Sequence, residues 1–172
     1  MIRTILVILA ATNLTLSMLA ETSTLVDASD AERIAGLMQD EGYRAKVEVD
    51  SDGDLSIVSG VGGVEFNVYF RACDDELLNC ELLVFNSGFD LKNGSSEAKM
   101  TQWNQTQWTK AYLDREKDPF LELPVNMLYG ISEENFRDTL NWFAGQVTKF
   151  ADHIGWNDEP SVDPIKTFAD PI

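Results

Sequence analysis

Cys73 and Cys80 are the only cysteines in the chain, and each borders an apolar run. Residues 64–70 (VEFNVYF) precede the first, and residues 81–85 (ELLVF) follow the second. Strict alternation through Val64, Phe66, Val68 and Phe70 puts four apolar side chains on one face of a strand. A bond between the two sulfurs would clip this strand to the next at the mouth of a β-hairpin. Such a bond persists in an oxidising compartment. The alternatives are free thiols or metal ligands. A metal would want two further Cys or His ligands, and the chain holds one histidine, His153.

The amino-terminal residues agree with export. Residues 1–20 (MIRTILVILAATNLTLSMLA) carry one basic residue, Arg3, and no acid. Their apolar run is broken by Thr12, Asn13 and Thr15, which suits a secretory signal cleaved after Ala20 better than a span of about 20 apolar residues. No cysteine follows the run, which argues against a lipid anchor. The remaining chain is long enough for one domain with its own core. Its formal charge of −16 becomes one unit more negative once Arg3 is lost. Such a surface repels nucleic acid and anionic lipid, because phosphate binding needs clustered Lys and Arg.

Helical and extended patterns then alternate along the chain. Ser29 with Glu32 reads as a capping box opening a helix over 30–41, stopped by Gly42. Strands are expected at 44–49, 55–59, 64–71 and 80–85. An Asp-Gly turn lies within Asp50–Asp54, and a second turn spans Gly60–Gly63. A helix from Ser95 to Asn104 leads to extended chain over 108–114, polar turn residues 115–118, and a last strand around Phe120, Glu122 and Val125. Pro124 lacks a ladder donor, which places this strand at a sheet edge or makes it irregular there. The third helix is capped by Ser132 and stapled by Ile131 and Phe136. Its stripe of Phe136, Leu140, Phe143, Val147, Phe150 and Ile154 should cover a sheet face. A coiled coil has the same spacing but needs more heptads. Residues 155–172, with Pro160, Pro164 and Pro171, read as a flexible tail.

No catalytic constellation emerges. The acids of Asp50–Asp54 lack the glycine and glutamate placement of an EF-hand and read as a turn. His153 is placed to meet a helix C-terminus. No nucleophile elbow is present, and pairs among 29 acids carry no weight. Asn13, Asn93 and Asn104 satisfy the glycosylation pattern. Trp103 and Trp108 flank the end of the second helix and read as core or half-core. Trp142 falls roughly 115° from the centre of the third helix's stripe, at 100° per residue. It is exposed, covered by the tail, or part of a partner site. Trp142, Trp103 and Trp108 are the candidate partner-binding residues, since aromatics are enriched among interface anchors.

The order of these elements resembles the YbjN family of bacterial proteins, described as sensory transduction regulators. The resemblance is carried, in order, by the capped helix ending in Gly42, the D-x-D-G-D turn and the Phe-rich strand. The C-x6-C loop, LLVFNSGF, the Trp103-Asn104 pair, YLDREKDPFLEL and GISEENF follow. It covers residues 25–154. The elements read along the chain give an α+β fold with three main helices in the order α-β-β-β-β-α-β-β-α, and the likeness implies an antiparallel sheet with helices packed against it, similar to type III secretion chaperones. It also implies a non-enzymatic protein that acts by binding another macromolecule and has no catalytic residues to carry over. The residues themselves give no cofactor or metal site, and the module is expected to bind a protein partner and to be a candidate homodimer. Combined with the signal and the cysteine pair, the expectation is an exported regulatory or chaperone-like module in a Gram-negative periplasm. A periplasmic small-molecule carrier is the alternative; it would need an enclosed apolar pocket between sheet and helices.

Overall fold

The computed structural model describes residues 25–49, 53–74 and 79–158. The expected signal (1–20), the Asp50–Asp52 part of the first turn and the chain beyond Asp158 lie outside the described residues.

A two-residue strand, β1 (Leu25–Val26), opens the described chain. It pairs antiparallel with β8 (Ile131–Ser132), just before the third helix. The first helix, α1, spans Ala31–Asp40. Its cap is Asp30, whose Oδ1 accepts from the Arg33 N–H at 3.0 Å. Ser29, expected in that role, donates both its N–H and its hydroxyl to the Asp27 carboxylate. Once Ser29 turns back to Asp27, the next residue with an acceptor side chain caps the helix. The C-terminus matches its expectation. Gly42 (φ 88°) sends its N–H to Gln39 O at 2.9 Å, and Tyr43 sends its N–H to Met38 O at 3.1 Å. This is the double closure that a left-handed glycine permits.

Six strands form one antiparallel sheet: β2 (Lys46–Val49), β3 (Leu55–Val61), β4 (Val64–Arg71), β5 (Leu82–Gly88), β6 (Lys110–Leu113) and β7 (Pro119–Asn126). Their spatial order is β2-β3-β4-β5-β7-β6. The β3–β4 turn is tighter than expected. Gly60 and Val61 remain in the ladder opposite Glu65 and Val64. Only Gly62 and Gly63 turn, both at positive φ, as a two-residue hairpin demands. Strand β5 begins later than expected, because Cys80 bridges to Ala28 instead of to β4. The strand with Pro124 is not at the edge of the sheet. β7 lies between β5 and β6, with Pro124 opposite Val84. β6, however, ends opposite Glu122. Beside Pro124 the second flank of β7 is therefore open, and a residue without an N–H is tolerated there.

The second helix, α2 (Glu97–Thr106), is capped by Ser96 and buries only Met100 and Trp103. The third, α3 (Glu133–Ile154), is capped by Ser132, whose Oγ accepts from the Asn135 N–H at 3.2 Å. All six residues of its expected stripe are buried. The Phe143 ring lies 5.6 Å from Phe66 and 5.3 Å from Phe85, centre to centre. Phe136 lies 6.5 Å from Phe85. These rings fill the space between α3 and the middle strands. Past Ile154 the described chain continues. Gly155 (φ 84°) turns into a short 3-10 helix at Trp156–Asp158, and the Trp156 ring packs edge-on against Phe89 at 5.5 Å. Among the described residues the architecture is α+β, a six-stranded antiparallel sheet with three α-helices beside the small β1–β8 pair, and its main elements follow the expected order.

Candidate interaction surfaces

Alternation along each strand decides which face of the sheet is available. Ile57, Phe66, Val68, Leu83, Phe85 and Leu121 point inward and are buried beneath α1 and α3. The residues between them point outward. They include Val58, Asn67, Tyr69, Val84, Asn86, Tyr112, Phe120 and Glu122, and all are partly exposed. Among the described residues no helix covers this outer face.

The outer face is ordered by its own contacts. Phe120 stands opposite Gly88, and a Cβ on Gly88 would lie 2.6 Å from that ring. The glycine therefore lets Phe120 lie flat on the sheet. Tyr112 stacks on Phe120, with ring centres 5.4 Å apart at 14°. The Tyr112 hydroxyl accepts from Asn86 Nδ2 at 3.2 Å. The Lys110 ammonium lies 4.9 Å from the Tyr112 ring centre and 3.3 Å from Glu122 Oε1. Arg71 lies over Tyr69 at 4.8 Å and pairs with Asp54 at 3.2 Å. Aromatic rings interleaved with hydrogen-bonding groups are a composition typical of protein-binding surfaces.

The two sheet edges differ. At β6, Asn104 of α2 receives the Ala111 N–H on Oδ1 at 2.8 Å and donates Nδ2 to the Ala111 carbonyl at 2.9 Å. One side chain thus satisfies both backbone groups of an edge residue. At β2, three of the four residues are exposed. That strand is short, and its Lys46 and Glu48 pair at 3.0 Å. Short length and charge both discourage uncontrolled strand addition.

The three tryptophans singled out in the sequence do not come together. Trp103 is buried in the core, with Nε1 donating to Thr109 Oγ1 at 3.0 Å and its ring 4.9 Å from Phe150. Its indole is not presented at the surface. Trp108, expected in the core or half-core, is 87% exposed. It follows the end of α2 and precedes β6, where the chain turns it outward while Thr109 turns in. Trp142 is 38% exposed on the flank of α3. One turn further on lies Gly145, also exposed. No atom comes within 4 Å of where its Cβ would stand. A glycine in mid-helix costs about 1 kcal/mol relative to alanine, and nothing in the described fold requires one there.

A third surface lies at the disulfide end. Cys73 and Cys80 are bonded, at the end of the β4–β5 hairpin where Arg71 faces Leu82. Beside Cys80 is a cavity of about 150 Å³ lined by Asp27, Ser29, Asn79 and the 127–129 turn. That is below the ~300–1,000 Å³ of small-molecule sites, and it does not lie between sheet and helices. The Asp27 carboxyl is held below its usual range by hydrogen bonds from the Ser29 side chain and N–H. In the turn, Gly130 donates to Met127 O at 2.9 Å. Tyr129 adopts a left-handed φ of 69° and is 88% exposed. Leu128 and Leu25 are exposed beside it.

The remaining polar groups read as structural. His153 Nε2 lies 2.9 Å from Lys99 O on α2. The cation at the C-terminus of α3 is Lys99, whose Nζ donates to Ile154 O at 2.8 Å. A seam joins α1 to α3. Arg137 and Asn141 each donate to Glu41 at 2.9 Å, and the Tyr43 hydroxyl donates to Asn141 Oδ1 at 2.9 Å. Bonds from Asn141 and Arg137 hold the Glu41 carboxyl below its usual range. Burial, with the Glu41 charge, pushes the Tyr43 phenol up. Among the described residues there is no group of three or more His, Cys, Asp or Glu side chains placed to hold a metal. No described helix is long and apolar enough to cross a membrane.

A family model matches residues 30–156: YbjN, "putative bacterial sensory transduction regulator". The chain belongs to the YbjN family. No curated protein and no solved structure matches it. Several segments that carry the YbjN resemblance have evident structural work. The Trp103-Asn104 pair supplies one core ring and one clamp on the sheet edge. Ser132 and the two glutamates of SEENF open α3, with the Glu134 carboxyl lowered by bonds from its own N–H and from Ser132. In the segment YLDREKDPFLEL, Tyr112 and Phe120 build the outer-face platform. That platform, the Asn104 clamp and the exposed Tyr129 turn were not anticipated. Alternation around Phe66 and Leu121 was the available signal for the platform, because it also fixes which residues point outward.

Proposed function

We propose that this YbjN protein is an exported, non-enzymatic regulatory module of the bacterial envelope that acts by binding another protein. The observation that carries the reading is the uncovered outer face of the sheet, where Tyr69, Tyr112 and Phe120 are held among Asn67, Asn86, Lys110 and Glu122. The family description supports a regulatory role. The Cys73–Cys80 bond and the basic, then apolar, first twenty residues support export. The phenylalanine-filled interior weighs against a carrier that encloses its ligand between sheet and helices.

The test is photo-crosslinking of the full chain in the periplasm, with the crosslinker at position 69 or 112 and a control at exposed Glu116. A discrete protein adduct at 69 and 112, absent at 116 and lost in Phe120→Asp, is the expected result. No adduct at either position would overturn the reading. So would recovery of the native protein from cytosol with both thiols free.

A further inference from the structure

We infer that the outer flank of α3 is a contact surface for a second copy of this chain, packed antiparallel about a two-fold axis between Phe143 and Ala144. Asp138, Trp142, Gly145 and Lys149 follow at spacings of four, three and four, so they share one face of the helix. All four are exposed. Neither Asp138 nor Lys149 has an ion-pair partner among the described residues.

A two-fold contact requires a patch that complements itself. This ridge does so in one register. Antiparallel packing about its midpoint sets Trp142 of each copy over Gly145 of the other. It also sets Asp138 of each over Lys149 of the other. The knob, the notch, the acid and the base are each used twice. Further out, Asn135 of each copy lies on the side of His153 of the other, and Glu134 on the side of Asp152, so like charges approach at the two ends of the ridge and opposite charges nearer its centre. A parallel pairing would stack Asp138 on Asp138. The notch at Gly145, which no internal contact requires, admits the indole at the close end of the ~8–10 Å range of helix separations. The contact centres on one helix and is smaller than a standard interface of ~1,600 Å², so association in the micromolar range is expected. It does not involve the outer sheet face and stands or falls apart from it.

Sedimentation of the full chain over a concentration series tests the inference, with circular dichroism to confirm that each variant is folded. A reversible dimer is expected. Asp138→Lys and Lys149→Asp should each weaken it about tenfold, by setting like charges together twice. The double reversal should restore it to within about threefold. Gly145→Leu, which favours the helix, and Trp142→Ala should leave folded monomers. A chain that stays monomeric to about 1 mM would overturn the inference. A dimer indifferent to these reversals would also do so, as it would lie on another face. So would a Trp142 indole shielded from acrylamide in the monomer, covered by the chain's own residues.

Discussion

The side-chain amide of Asn104 pairs with both backbone groups of Ala111, at 2.8 and 2.9 Å, and so stands where a seventh strand would otherwise begin. Replacement by alanine removes both bonds and leaves an edge N–H and C=O to find water. A loss of about 1–3 kcal/mol is expected, read as a lower urea midpoint at unchanged slope. Asn104→Asp should be no better, because a carboxylate oxygen would then face the Ala111 carbonyl. A glycan on Asn104 is incompatible with this pairing, so the sequon should stay unmodified in a eukaryotic host.

The disulfide closes a short ring at the end of the β4–β5 hairpin. In the chain-entropy account, closing eight residues stabilises by about 2.5 kcal/mol. Reduction, or Cys73→Ser with Cys80→Ser, should lower the unfolding free energy by up to that amount without unfolding the protein. The sheet and its ring contacts with α3 remain. Urea curves with and without reductant measure the difference. A protein that loses its near-ultraviolet dichroism on reduction would show that the bond organises the core as well as the loop.

Long, periodic elements were legible in the sequence because their burial is repetitive. The α3 stripe and the alternation of β4 each repeat one instruction several times. What escaped depends on single contacts with no period. The β1–β8 pair has two residues per strand. The Asn104 clamp is one side chain meeting one backbone position. Trp103 and Trp108 look equivalent in the sequence, yet one is core and the other 87% exposed. The direction of the chain between α2 and β6 decides that, and no local pattern encodes it. Pro124 was read correctly as incompatible with two neighbours. Of the two outcomes open to it, an edge strand or a local irregularity, the structure takes the second, because β6 stops opposite Glu122 and leaves one flank of Pro124 unpaired.

Tyr129 is an exposed residue held in a left-handed backbone, at φ 69°. A left-handed φ costs a residue with a side chain roughly 1–2 kcal/mol. Tyr129→Gly removes that strain but gives the unfolded chain freedom costing about 0.5–1 kcal/mol. The variant should match or slightly exceed the parent in melting temperature, by about 2–4 °C at most. Tyr129→Val, β-branched in the same conformation, should melt lower. Retention of an unfavourable residue at an 88% exposed position is the pattern of strain kept for contact. Binding lost in Tyr129→Gly at undiminished stability would place a partner at this end.

The seam between α1 and α3 makes stability depend on acidity. Glu41 is lowered in the folded state first by the bond from Asn141 and then by Arg137. Its contribution is therefore complete above the unfolded carboxylate value, about pH 4.3. It is lost as pH falls through the lower folded value, where the protonated acid no longer attracts Arg137. Glu41→Gln keeps a similar shape but does not titrate. At neutral pH the variant should be the less stable of the two. The gap should close on acidification to about pH 3, because only the parent protein loses the interaction there. Asp27 and Glu134, also lowered, titrate in both proteins and cancel from the comparison. Urea midpoints at pH 7, 5, 4 and 3 check this. Since the seam lies near solvent, the gap at neutral pH should also narrow in about 1 M salt. A gap constant across the series would mean that Asn141 holds the glutamine as well as it holds the carboxylate, and that shape rather than charge joins the two helices.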